Sequence, residues 1–149
     1  MKLTREDVIR MGEKQESLAG ADMSGLDLRG LCFAERDLSG ANLAGANLER
    51  ANFNEATLTN VSLVGANLRN ARLYDTNLMN ANLEGACLEN AWMGGSRLEG
   101  ANFKGVDLRE VDLNIVDFWG ANLDNAIVSL FGGTYKLTRV ETEGEENGI

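Results

Sequence analysis

Large apolar residues recur at every fifth position of the chain. The series runs Leu18, Met23, Leu28, Phe33, Leu38, Leu43, Leu48, Phe53, Leu58, Leu63, Leu68, Leu73, Leu78, Leu83, Leu88, Met93, Leu98, Phe103, Leu108, Leu113, Phe118, Leu123 and Val128, twenty-three centres without a break in frame. Two positions before a centre the residue is usually small, as at Ala41, Ala46, Ala66, Ala86 and Ala121, and the residue between the two is most often Asn or Asp. Two positions after the centre stands Gly or Asn in sixteen of the twenty-three repeats.

Neither regular element accommodates this pattern. In a helix five residues advance about 500°, so successive centres drift by about 140° and form no stripe. In one long strand an odd period alternates faces. The pattern is met by a short extended piece that points its small residue and its centre inward and the polar residue outward, followed by a corner that resets the parity. Gly or Asn at that corner suits the positive φ of the third position of a type II turn. Corners turning the same way through about a right angle close a square in four repeats, so that residues twenty apart stack at about the 4.8 Å interstrand spacing. Residues 16–130 then make nearly six coils around Leu and Phe, with Ala columns beside them. Burial of each centre is worth about 1.5 to 3 kcal/mol before chain entropy, and stability is nearest-neighbour in character.

An open solenoid end invites edge pairing, so both ends are expected to be capped. Residues 1–15 read as an N-terminal cap: Thr4 with Asp7 forms a capping-box pattern, and Val8, Ile9 and Met11 are placed on a short helix over the first coil. Arg36 falls at an inward position with Glu16 twenty residues earlier, which predicts an ion pair; the alternative is an irregular first turn with both side chains in water. Residues 131–149 read as a cap strand, Thr134 to Val140, followed by an acidic tail from Glu141 to Ile149 that is expected to be solvated.

Composition narrows the function. The 149 residues suit one compact unit. A net charge of −9 argues against direct binding to nucleic acid or an anionic membrane, and the absence of His removes the common neutral-pH acid, base and metal ligand. Charges near the N-terminus and the lack of a long apolar run predict a cytoplasmic protein. Cys32 and Cys87 fall on different faces of different coils and are expected to be free thiols.

The runs Ala41-Asn42-Leu43-Ala44-Gly45-Ala46-Asn47-Leu48, Ala66-Asn67-Leu68, Ala81-Asn82-Leu83-Glu84-Gly85-Ala86 and Ala101-Asn102-Phe103-Lys104-Gly105 carry a resemblance to the pentapeptide-repeat proteins, over about three quarters of the chain. The resemblance implies an all-β solenoid, a right-handed quadrilateral parallel β-helix; the handedness and the four-sided section come from it and not from the periodicity.

No residues assemble a nucleophile with a base or metal ligands at a recognisable spacing, so no enzyme, cofactor or metal is expected. Asn42, Asn47, Asn52, Asn67, Asn77, Asn82, Asn102 and Asn122 line up outward, but hydrogen bonding to local backbone accounts for them without a ligand. The face through Phe53, Leu73 and Met93 carries Tyr74 and Trp92, and the adjoining face carries Met79 and Trp119, with Arg72 and Arg97 among them. Aromatic residues with Arg are the composition of interface hot spots, so these six are the candidate partner-binding patch.

The expected function is a non-enzymatic protein-interaction or scaffold module with an unidentified protein partner, acting as a monomer or weak dimer. The family resemblance implies an alternative, because some members resemble a DNA duplex in width and charge and bind type II topoisomerases such as DNA gyrase, inhibiting them or protecting them from quinolones. This chain departs from those members, which typically dimerise through an apolar C-terminal helix, because its end reads as a strand and an acidic tail. Arg29, Arg50, Arg69 and Arg109 also dilute its acidity on the face through Leu48, Leu68 and Leu108.

Overall fold

The computed structural model describes residues 2–130 and 133–136. Parallel bridges link residues twenty apart in four ladders: Asp22–Asn42–Ser62–Asn82–Asn102–Asn122, Asp27–Asn47–Asn67–Cys87, Cys32–Asn52–Arg72–Trp92–Asp112 and Asp37–Thr57–Asn77–Arg97–Asp117. Each turn of chain therefore has four sides, and the peptide groups bond between turns. Met23 N–H donates to the Asn42 carbonyl at 2.8 Å and Leu43 N–H to the Ser62 carbonyl at 2.7 Å, and the pattern repeats coil upon coil.

At each corner the backbone closes on itself. Ala46 N–H donates to the Leu43 carbonyl at 3.0 Å, three residues back, and the second of the two residues between them, Gly45, sits at φ 64°. Asn60 occupies the same place in its repeat at φ 57°, a conformation Asn tolerates better than most side chains.

All nineteen centres from Leu18 to Leu108 are at most 3% exposed. Phe33 and Phe53 stack on successive coils with centroids 4.9 Å apart. The expected core centres Leu113, Phe118 and Leu123, with Val128, differ in being only partly buried. They belong to the last coil, over which no further full coil lies among the described residues, so one side of each lacks packing partners.

At the base, helix α1 (Arg5–Glu13) opens with Thr4 as N-cap. Asp7 N–H donates to Thr4 Oγ1 at 3.1 Å and Thr4 N–H to Asp7 Oδ2 at 3.0 Å. Val8 is 2% exposed and Met11 packs against the core, one helical turn apart on the same face. Ile9, on the same helix as expected but about 100° further round, faces solvent and adds nothing to the cover. Lys2 bridges Asp22, so the segment before α1 adds a partial rung beneath the first coil.

Arg36 does not pair with the Glu16 carboxylate. Its guanidinium donates to the backbone carbonyls of Glu16, Gly12 (3.1 Å) and Met11 (3.4 Å) at and just beyond the end of α1, the last two of which also accept from the Gln15 and Glu16 N–H groups. Carbonyls fixed by the helix lie within reach of Arg36, whereas the Glu16 side chain is free to stay in water.

Strands β1 (Ile127–Leu130) and β2 (Gly133–Lys136) form an antiparallel hairpin with Ile127 opposite Lys136. Since Ile127 also bridges Asp107, β2 takes the place of the next rung on that side. The rest of the expected cap strand, Leu137 to Val140, and the acidic tail lie outside the described residues.

Candidate interaction surface

The polar residue before each centre is set by local bonding. The side-chain oxygens of Asn42, Asn47, Asn52, Asn67, Asn77, Asn82, Asn102 and Asn122 each accept from the backbone N–H two residues on, at 3.0 to 3.3 Å. Some also join coils, as Asn67 Nδ2 does to Asn47 Oδ1 at 3.1 Å. These amides are engaged by the fold itself, which leaves the remaining outward side chains to distinguish one face from another.

On one face the column Arg29, Glu49, Arg69, Glu89, Arg109 alternates in sign. Arg69 pairs with Glu89 at 2.7 Å, Arg29 with Asp27 at 2.6 Å and Arg109 with Asp107 at 2.5 Å. The hydrogen bonds from the Arg29 side chain and backbone hold the Asp27 carboxyl down at about 2. Such exposed pairs add little stability, but they neutralise the face.

The Trp92 face is built differently. Arg72 and Trp92 are ladder neighbours, and the Arg72 guanidinium lies 5.4 Å from the indole centroid. Tyr74 and Trp92 have centroids 6.0 Å apart with planes inclined at 41°. Tyr74 lies along the solenoid axis, and its hydroxyl donates to Asp112 Oδ2 at 3.2 Å. Gly94 makes this path available, since a Cβ there would stand 3.1 Å from Tyr74 Cε1. Loss of solvent, then the Asp112 acceptor and its charge, push the phenol above its usual pKa.

Of the six candidate residues, Arg72 and Tyr74 each lie against Trp92 on this face. Arg97 stands on the adjoining face, 3.5 Å from Glu99 Oε1. Trp119, 79% exposed, and the half-buried Met79 occupy the Glu99 column of that same face, two coils apart, and among the described residues Trp119 forms no aromatic pair with Tyr74 or Trp92. Sequence reasoning missed Asp112, Gly94 and Ile115. The first two lie twenty residues beyond Trp92 and Tyr74, so the repeat register places them on the next coil, but the lean of the Tyr74 side chain is not a property of the register. Ile115 is 95% exposed at a corner where φ is 57°.

Cys32 and Cys87 are free. No helix among the described residues is long and apolar enough to cross a membrane.

A family model described as pentapeptide repeats (8 copies) matches residues 37–73, 58–95 and 93–129, together more than half of the chain. The chain belongs to the pentapeptide-repeat family. The fold of this family is a right-handed quadrilateral β-helix, and the four ladders are its four sides.

Among solved structures, a pentapeptide repeat protein (Rfr23) from the cyanobacterium Cyanothece 51142 is similar at 29% identity and TM-score 0.78, covering 83% of this chain and 98% of that one. A pentapeptide repeat protein from the Arabidopsis thaliana thylakoid lumen is 26% identical with TM-score 0.41, over 69% of this chain and 65% of that one. QnrB1, a plasmid-mediated fluoroquinolone resistance protein, is 23% identical with TM-score 0.30, over 72% and 79%. Likeness at the last two TM-scores carries no argument about function. Comparison with curated proteins finds no match.

Proposed function

We propose that this pentapeptide-repeat protein is a non-enzymatic, cytoplasmic interaction module whose Trp92 face receives a protein partner. The observation that supports this reading is the cluster of Arg72, Tyr74 and Trp92, exposed yet held in place through Asp112 and the side-chain-free backbone at Gly94. Large side chains already ordered before binding lose little entropy on docking, which is what a hot spot requires. Met79 and Trp119 stand round the corner on either side of Glu99, available to a partner that wraps two faces.

Affinity capture from the source cell, comparing the natural chain with Trp92→Ala, tests the reading. Loss of the captured partner with an unchanged circular dichroism spectrum is expected. Undiminished capture sinks it.

The acidity favours a second reading, a duplex-like surface for a topoisomerase, but the alternating column from Arg29 to Arg109 weighs against it. A DNA gyrase supercoiling assay is expected to show no inhibition and no relief of quinolone action. Either effect at stoichiometric protein would reverse the order of the two readings.

A further inference from the structure

The corner between the Trp92 face and the Trp119 face has a composition unlike the other corners. Its column reads Glu35, Glu55, Asp75, Gly95, Ile115. Each corner N–H donates to the carbonyl of the residue just before the next corner, as Glu55 does to Tyr74 at 2.9 Å and Asp75 to Gly94 at 3.0 Å, so the five form one continuous edge. Glu35, Glu55 and Asp75 are exposed, and among the described residues no cation pairs with them, whereas the arginines of the Arg69 face are matched with acids.

The upper end of this edge holds a conformational outlier. Ile115 adopts φ 57° and is 95% exposed. A β-branched residue in the left-handed region is strained, and the other positive-φ corners carry Gly, Asn, Asp, Glu, Gln or Arg. Neither burial nor backbone preference accounts for isoleucine there, and strain of this kind concentrates at binding sites. Tyr74 and Trp92 adjoin the same upper end, and Asp75 leans up over Gly95, where an added Cβ would meet its Oδ1 at 2.1 Å, keeping the carboxylate on the edge.

We propose that this edge docks a basic peptide segment of the partner, with Lys or Arg side chains against Glu35, Glu55 and Asp75 and a large apolar residue against Ile115, Trp92 and Tyr74. The inference rests on the interaction-module reading and specifies the chemistry of the partner. Four steps of about 4.8 Å give an edge of about 19 Å, the reach of about six residues of extended chain. The arginines nearby lie off its acidic half: Arg72 covers Trp92, Arg97 is beside Glu99, and Arg36 turns inward to the carbonyls under α1. The chain's own tail, with Glu141, Glu143, Glu145 and Glu146, has the wrong sign to occupy the strip.

The test uses the full chain and a short fluorescein-labelled synthetic peptide, arginine-rich at one end and leucine-rich at the other, followed by anisotropy. Control peptides replace the arginines with glutamate or the leucines with serine. The natural peptide design is expected to bind with salt-sensitive affinity and both controls to bind about tenfold or more weakly. The combined variant Glu35→Asn, Glu55→Asn, Asp75→Asn is expected to lose about tenfold or more, and Ile115→Asn to weaken binding likewise. Asn is suited to these positive-φ corners, so the variants remain folded. Equal binding of the peptide to natural and Asn-substituted chains overturns the proposal, as does equal binding of the glutamate control. If the cellular partner is released by Trp92→Ala but retained by the combined Asn variant, the basic-segment assignment fails while the module reading survives. Retention by Trp92→Ala defeats the module reading itself.

Discussion

The Tyr74 hydroxyl donates to Asp112 across thirty-eight residues of sequence, at 3.2 Å. The bond spans two coils, and Tyr74 reaches it by lying over Gly94. An aromatic ring that was free to swing about its Cα–Cβ bond is thereby given one position beside Trp92. The stability contribution of that bond and its effect as an electrostatic contact are separable.

Tyr74→Phe is expected to lower the thermal midpoint only slightly, because the pair is exposed and water replaces the lost partner. Asp112→Asn is expected to lower the Tyr74 pKa towards 10.0, because it removes a negative neighbour that disfavours phenolate. Alkaline ultraviolet titration, with Tyr74→Phe subtracted, reads this directly. An unchanged midpoint would show that Asp112 is not the partner.

Ile115→Asn is expected to stabilise the protein by about 1 kcal/mol, since it relieves the left-handed conformation of a β-branched residue while giving up no buried contact. Thermal denaturation should show a higher midpoint. A lower one would mean that isoleucine makes a contact the described residues do not reveal.

Leu63→Ala is expected to cost about 2 to 5 kcal/mol, because the side chain is fully buried between coils above and below. Leu123→Ala, in the partly buried last coil, should cost less. Denaturant titration of both variants distinguishes a graded solenoid from a uniform core, for which the two losses would match.

Stability is expected to fall as pH drops from about 4 to about 2. Asp27 is lowered from 3.8 to about 2, first by the Arg29 side chain and then by the Arg29 N–H. Asp7, Asp22, Asp37 and Asp107 shift in the same direction through comparable hydrogen bonds. A carboxyl depressed in the folded state favours folding above its unfolded pKa, and that contribution disappears as pH falls through the folded value. Asp27→Asn keeps an acceptor for the Arg29 N–H but cannot titrate, so its acid transition should be shallower over that window. The exposure of these groups makes the effect smaller at high salt.

The sequence alone determined which residues face inward and where the chain turns. Leu63 lies inside and Gly45 turns because each carries its role in its own chemistry, repeated in a frame that no insertion disturbs. The outward Asn residues were legible for the same reason, their bonds being to backbone two residues away. Only the tertiary structure decided that Tyr74 crosses Gly94 to Asp112, that Trp119 stands apart from Trp92, and that Arg36 takes the carbonyls of Met11, Gly12 and Glu16 in place of the Glu16 carboxylate. A five-residue period is a local property of the chain. Contacts between side chains one or two coils apart depend on the summed turning of every corner between them and on the rotamer each side chain finds, which no single repeat specifies.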